Sequence, residues 1–129
     1  MSDTILHHQI LENGLELTFV DLSNRYYGDF YQIKIDVVSH LSLSDSMFAK
    51  FDLSEKEKIK AKARFGARLE SHRELKRMGV AGGDVVRVCE ELVQQFLDTS
   101  LPYLSTAEFP SRLLRQRLVE RPVLKKIYG

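Results

Sequence analysis

Residues 15–43, LELTFVDLSNRYYGDFYQIKIDVVSHLSL, read as two β-strands joined by a polar, aromatic connection. The second strand carries the clearer signal. Tyr31, Ile33, Ile35, Val37, Leu41 and Leu43 occupy one set of alternate positions, and Gln32, Lys34, Asp36 and His40 fall on the other. Successive strand side chains point to opposite faces, so this strand has one apolar side and one polar side. Alternation of this length belongs to an antiparallel sheet with one face covered and the other wet. Ser39 falls on the apolar side, which predicts a bulge or strand end there.

Upstream, Thr4 to Leu11 reads as a strand, and Asn13-Gly14 follows it. Asn-Gly is the preferred pair for a two-residue type I′ hairpin, because both central residues need positive φ. That loop sets the register. It places Leu6, His8, Ile10, Leu15, Leu17 and Phe19 on the apolar face, and His7, Gln9, Glu16, Thr18 and Val20 on the other. His7 and His8 then point apart and do not clamp a metal between them.

Downstream, Phe48 and Phe51 are expected to tuck the turn-like segment 42–53 onto the core. Ser54-Glu55-Lys56-Glu57 has the capping-box pattern, so a helix starts at about Glu55. Two readings of the continuation stay open. In the favoured one the helix ends at Phe65 with Gly66 in the left-handed cap position, and Ala67 to Arg77 forms a strand. In the other, one helix runs to Met78 and Gly79 caps it. Gly79 to Asp84 reads as a loop that ends in an N-cap aspartate. The next helix has a stripe of Val85, Val88, Cys89, Leu92 and Phe96, widened by Val86, Val93 and Leu97, which buries Cys89 as an inert thiol. Leu101-Pro102 is expected to break it. Ser105 and Glu108 then cap a last helix with Pro110 in its first turn, a stripe of Leu113, Leu114, Leu118 and Val119, and a stop at Pro122. The fold class is therefore α+β: an antiparallel sheet of three to four strands in β-β-β-α-β-α-α order, with helices packed on one face. Residues 1–129 form a single domain, with a mobile basic C-terminal tail from about residue 122.

Apolar content of 43% and charged content of 29% are ordinary for a folded chain of 129 residues. No apolar run reaches the roughly 18 residues of a membrane span, and the first residues lack a secretory pattern. Cys89 is the single cysteine, which excludes an internal disulfide and favours a cytoplasmic location. The net charge of +1 is unevenly spread. Residues 1–53 carry eight acids and three bases, a balance of −5, and residues 54–129 carry ten acids and sixteen bases, a balance of +6. Such asymmetry fits halves that attract each other, two copies that pair, or an anionic partner.

The densest polar cluster is the connection Asp21 to Asp29, with Asp21, Ser23, Asn24, Arg25, Tyr26, Tyr27 and Asp29. Asp, Ser and Asn fold loops through their own backbone bonds, which makes a structural role the first reading. Arg25 then pairs with Asp21 or Asp29. Tyr and Arg are also favoured interface anchors, so Asp21, Asn24, Arg25, Tyr26, Tyr27 and Asp29 are candidate contacts to a protein partner or a small ligand. A second set, Arg112, Arg115, Arg117, Arg121, Lys125 and Lys126, is a candidate surface for a partner or for nucleic acid or another polyanion. The pI near 7.9 is low for a nucleic-acid binder. A further option docks this basic helix on the acidic helix 84–98.

The four histidines show no ligand spacing, and no metal or cofactor is expected. The glycines of 79–83 lack the Lys-Ser/Thr ending of a phosphate loop. No nucleophile or zinc-hydrolase motif occurs. The expectation is a non-catalytic, cytoplasmic interaction or regulatory module, homo-oligomeric and most simply a dimer. Polyanion binding and a ligand or enzymatic site at Asp21–Asp29 are the alternatives.

Overall fold

The computed structural model describes residues 4–44 and 53–119. The fold is α+β and, among the described residues, has a five-stranded antiparallel sheet and three α-helices. The strands are β1 (Thr4–Ile10), β2 (Glu16–Asp21), β3 (Asn24–Tyr27), β4 (Phe30–Ser42) and β5 (Arg68–Ala81). The helices are α1 (Glu55–Phe65), α2 (Val85–Leu104) and α3 (Phe109–Val119), and a short 3-10 turn over Gly82–Asp84 precedes α2. Phe48, Phe51, Pro122 and the basic tail lie outside the described residues.

The alternating strand is the centre of the sheet. β4 pairs with β2 and β3 along one edge and with β5 along the other, while β1 lies outside β2. Ile33, Ile35, Val37, Leu41 and Leu43 are all buried. Ser39 interrupts nothing. It pairs with Leu17 on one side and Ser71 on the other, and the strand runs on to Ser42.

The fifth strand arises where a nine-residue connection was expected. The register Glu16↔His40 to Asp21↔Ile35 continues unchanged at Asn24↔Gln32 and Arg25↔Tyr31. Leu22 N bridges the gap by donating to Lys34 O at 2.8 Å. β2 and β3 are thus two lengths of one hairpin arm, and only Gly28 and Asp29 form its loop. Gly28 has φ +54, the positive value that a type II′ loop needs at its first residue.

The first hairpin departs from the type I′ expectation, and the departure turns β1 over. Leu11 N donates to Leu15 O at 2.8 Å and Gly14 N to Leu11 O at 2.9 Å, which closes a three-residue loop. Only Gly14 has positive φ (+90), whereas type I′ also requires it at Asn13. Asn13 is engaged elsewhere, since its Nδ2 donates to Leu104 O at 2.7 Å and Thr106 O at 2.8 Å. Pairing becomes Ile10↔Glu16, Gln9↔Leu17, His8↔Thr18 and His7↔Phe19. A one-residue slip exchanges the faces of a strand. Leu11 is therefore buried, Ile10 is 66% exposed, and His7 rather than His8 packs on Phe19 with ring centroids 5.6 Å apart. A register shift between Ile5 and His7 then brings Leu6 back against the core.

The helix-then-strand reading of 55–77 holds. Ser54 and Glu57 form both bonds of the capping box, and Gly66 ends α1 at φ +74. β5 continues to Ala81, past the expected loop start at Gly79, with a register shift opposite Tyr31/Ile33 and Val80 buried. Asp84 makes no side-chain capping bond to α2 and pairs instead with Arg87 at 3.5 Å.

Val88, Cys89, Leu92 and Phe96 of α2 cover the apolar face of the sheet, and Phe96 meets Phe19 edge-on at 5.5 Å. Val86 is 69% exposed, so the buried stripe is narrower than expected. α2 also runs through Pro102, because the proline deletes only the bond to the Asp98 carbonyl. Ser105 N closes the end on Leu101 O at 2.9 Å, so Ser105 terminates α2 and does not start α3. In α3, Leu114 and Leu118 are buried while Val119 points away at 81% exposure. Arg64 Nη1 of α1 donates to Leu118 O at 3.0 Å, which ties α1 to α3.

Candidate functional site

The polar cluster 21–29 is divided among separate tasks. Asp21 Oδ1 accepts from Ser23 N at 2.9 Å, and Ser23 Oγ accepts from Lys34 N at 3.0 Å. These bonds hold the join between β2 and β3. Asn24 is exposed and pairs with Gln32. Arg25 turns mainly to Tyr31, with Asp29 a smaller attraction. Its Cζ lies 5.8 Å from the Tyr31 ring centroid, and Tyr31 is the main influence raising its pKa. Asp29 O accepts from Gly82 N at 2.9 Å, and a Cβ on Gly82 would come within 2.4 Å of Asp29 Oδ1. A side chain at Gly82 would make the exposed Asp29 carboxylate swing aside, so closely does the hairpin loop dock against the 3-10 turn.

With the polar groups accounted for, the tip presents apolar surface. Tyr26 is 53% exposed, Tyr27 75% and Phe30 46%, and Met78 of β5 is 56% exposed. Tyr27 pairs directly with Phe30, and Phe30 also pairs with Ala81, so three strands meet at this end of the sheet. Phe30 and Met78 were not singled out from the sequence. The signal for them was present: Phe30 sits on the polar parity of β4, opposite to Ile33 and Ile35.

Asp21 also borders a cleft of about 450 Å³ between β1 and α2, lined in part by Leu6, His7, Cys89, Glu90 and Val93. Burial, then Asp21 and Glu90, push the Cys89 thiol pKa up, which keeps it protonated and weakly nucleophilic.

The face of the sheet away from the helices carries a ladder of histidines and carboxylates. His8 Nε2 lies 2.5 Å from Glu16 Oε2, on the polar face and not on the apolar face expected of it. His72 bridges two strands, with Nδ1 2.9 Å from Asp36 Oδ2 and Nε2 3.1 Å from Glu70 Oε2. His40 Nε2 comes 2.8 Å from Glu70 Oε1 but is not aligned for a hydrogen bond. Among the described residues no group of three or more His, Cys, Asp and Glu side chains is placed to hold a metal ion.

Asp36 first, then Glu70, hold His72 above its ordinary pKa of 6.5, and His72 is the largest influence holding Glu70 below its ordinary 4.5. A histidine raised on folding stabilises fully below its unfolded pKa and loses that contribution as pH rises through the folded value. A lowered carboxylate stabilises above its unfolded pKa and loses that contribution as pH falls through the folded value. The pair therefore contributes most between about pH 4.5 and 6.5. His72→Gln is expected to shift the urea midpoint most in that window and least near about pH 8.5. Parallel midpoint curves for the two proteins would contradict this.

The basic set is not gathered into one stripe. Residues on a helix advance about 100° each, so Arg112 and Arg115 lie about 60° apart while Arg117 lies about 140° from Arg112. Arg115 Nε donates to Glu57 Oε2 of α1 at 3.2 Å, so the basic helix engages α1. Arg112 is exposed and Arg117 partly buried. Arg121, Lys125 and Lys126 lie outside the described residues. Comparison of the chain with protein families, with curated proteins and with solved structures finds no match.

Proposed function

We propose that the chain is a non-catalytic protein-interaction module that works as a homodimer in the cytoplasm and grips a protein partner with the tip of the β3–β4 hairpin. The observation that carries this reading is the exposure of Tyr26, Tyr27, Phe30 and Met78 together at one end of the sheet. Exposed apolar clusters mark contact sites, and tyrosine supplies large contact area at little entropic cost. The hairpin loop is docked on Gly82, so the tip is preorganised and less ordering is lost on binding. Arg25, stacked on Tyr31 at the same end, supplies a cation at the rim. The single cysteine fits a reducing compartment, and among the described residues no helix is long and apolar enough to cross a membrane.

The test is affinity capture from the native cell with the intact chain and with a Tyr26→Ser/Tyr27→Ser double variant. Both substitutions lie on exposed positions, so the melting midpoint is expected to stay within a few degrees. Capture of the partner is expected to fall at least about ten-fold, because tyrosine anchors commonly contribute 2 kcal/mol or more. Equal capture by both proteins would remove the tip from the reading.

A further inference from the structure

Among the described strands β1, the four-residue β3 and β5 each have an unpaired edge, and they differ. β1 is seven residues long and bulged between Ile5 and His7, which blunts it for pairing. β5 is fourteen residues long and regular from Arg68 to Arg77, and among the described strands only β4 pairs with it. Its outer edge thus carries a row of backbone donors and acceptors without a strand partner. We infer that a second copy of the chain occupies this edge, with β5 pairing antiparallel to the partner's β5 across a two-fold axis at Arg73. This rests on the self-association part of the proposed function and adds its location.

The register follows from face and charge. Two sheets that join must keep their polar faces together, so only residues of like parity can pair. On the polar face β5 reads Arg68, Glu70, His72, Glu74, Lys76. This order is nearly palindromic about His72, and an axis at His72 would set Arg68 against the partner's Lys76 and Glu70 against the partner's Glu74. Like charges directly opposite are destabilising. Moving the axis one residue to Arg73 sets Glu70 against the partner's Lys76 and His72 against the partner's Glu74, each twice by symmetry. An axis at Ser71 also avoids the repulsion, but its ladder ends at Glu74. The Arg73 axis pairs Leu69 to Arg77, nearly the whole regular length, and so forms more hydrogen bonds and buries more surface. This axis does set one like pair opposed, the two Arg73 side chains on the helix side, against the four favourable polar-face pairs. Each is drawn inward over its own Phe96 ring, with Cζ 5.7 Å from the centroid.

Cysteine cross-linking reads the register. Cα atoms of directly opposed antiparallel residues lie about 4.5–5.5 Å apart, within disulfide range. Under mild oxidation Arg73→Cys is expected to give a covalent dimer, while Ser71→Cys and the intact chain with its buried Cys89 do not. Lys76→Glu, placed against the partner's Glu70, is expected to weaken the dimer about ten-fold or more by sedimentation, and Glu70→Lys/Lys76→Glu to restore it. Circular dichroism of each variant reports whether the fold is kept. A cross-link through Ser71→Cys and not Arg73→Cys would overturn the register. A dimer that neither cysteine cross-links and Lys76→Glu leaves intact would overturn the seam while leaving self-association standing. A monomer at tens of micromolar would overturn both, and partner capture by the hairpin tip would still be judged on its own.

Discussion

Phe19→Ala is expected to cost about 3–5 kcal/mol of stability and to lower the melting midpoint by more than about 10 °C. The ring is fully buried on β2, edge-on to Phe96 of α2 at 5.5 Å and in contact with His7 of β1 at 5.6 Å. It is the point where both strands of the first hairpin meet the covering helix. Neighbours held by sheet hydrogen bonds on one side and a helix on the other cannot close over the space, so lost transfer energy and a residual cavity add. Domains of this size hold about 5–15 kcal/mol in total, so the variant sits near the edge of folding. Chemical denaturation gives the number directly. A loss below about 1.5 kcal/mol would mean that β2 and α2 do not share one core.

Adjacent residues of the first hairpin are expected to respond in opposite ways. Leu11→Ala should cost about 2–5 kcal/mol and Ile10→Ala no more than about 0.5 kcal/mol, since Leu11 is 6% exposed and Ile10 66%. A type I′ loop would place Ile10 with Leu17 on the core and reverse that order. Equilibrium unfolding of the two single variants therefore distinguishes the two registers without a structure of either. A costly Ile10→Ala beside a neutral Leu11→Ala would contradict the three-residue loop.

The same hairpin shows where the sequence was and was not legible. The faces of β4 were readable because thirteen residues of alternation outvote any single exception, Ser39 included. The start of α1 was readable because the Ser54–Glu57 capping box is a local device, and its end because Gly66 adopts positive φ. The register of β1 was not. It depends on Asn13 reaching the Leu104 and Thr106 carbonyls, ninety-one and ninety-three residues away, and those bonds override the local preference of Asn-Gly. The exposed ends of the helical stripes, Val86 and Val119, failed for a related reason, because periodicity gives direction but not how far the sheet extends beneath a helix.

The candidate site was half legible. Polar density drew attention to Asp21–Asp29, and that segment does form the distinctive end of the sheet. Its composition disguised a strand, since Tyr26 and Tyr27 favour β structure while Asn24, Gly28 and Asp29 read as turn. A local bond holds Asp21 to Ser23, while partners across the fold sorted the rest: Arg25 to Tyr31 and Asp29 to Gly82. What the tip offers a partner is aromatic surface, and part of it comes from Phe30 and Met78 on neighbouring strands. The histidine ladder was hidden for the same reason. Asp36, Glu70 and His72 meet only once β5 is known to pair with β4.

Amide hydrogen exchange of the chain with and without its captured partner tests the hairpin-tip reading most directly. Binding at the tip predicts slowed exchange in residues 24–31 and at Met78–Ala81, with the exposed sides of α1 and α3 unchanged. Protection confined to α3, or to any surface that excludes Tyr26, Tyr27 and Phe30, would contradict it.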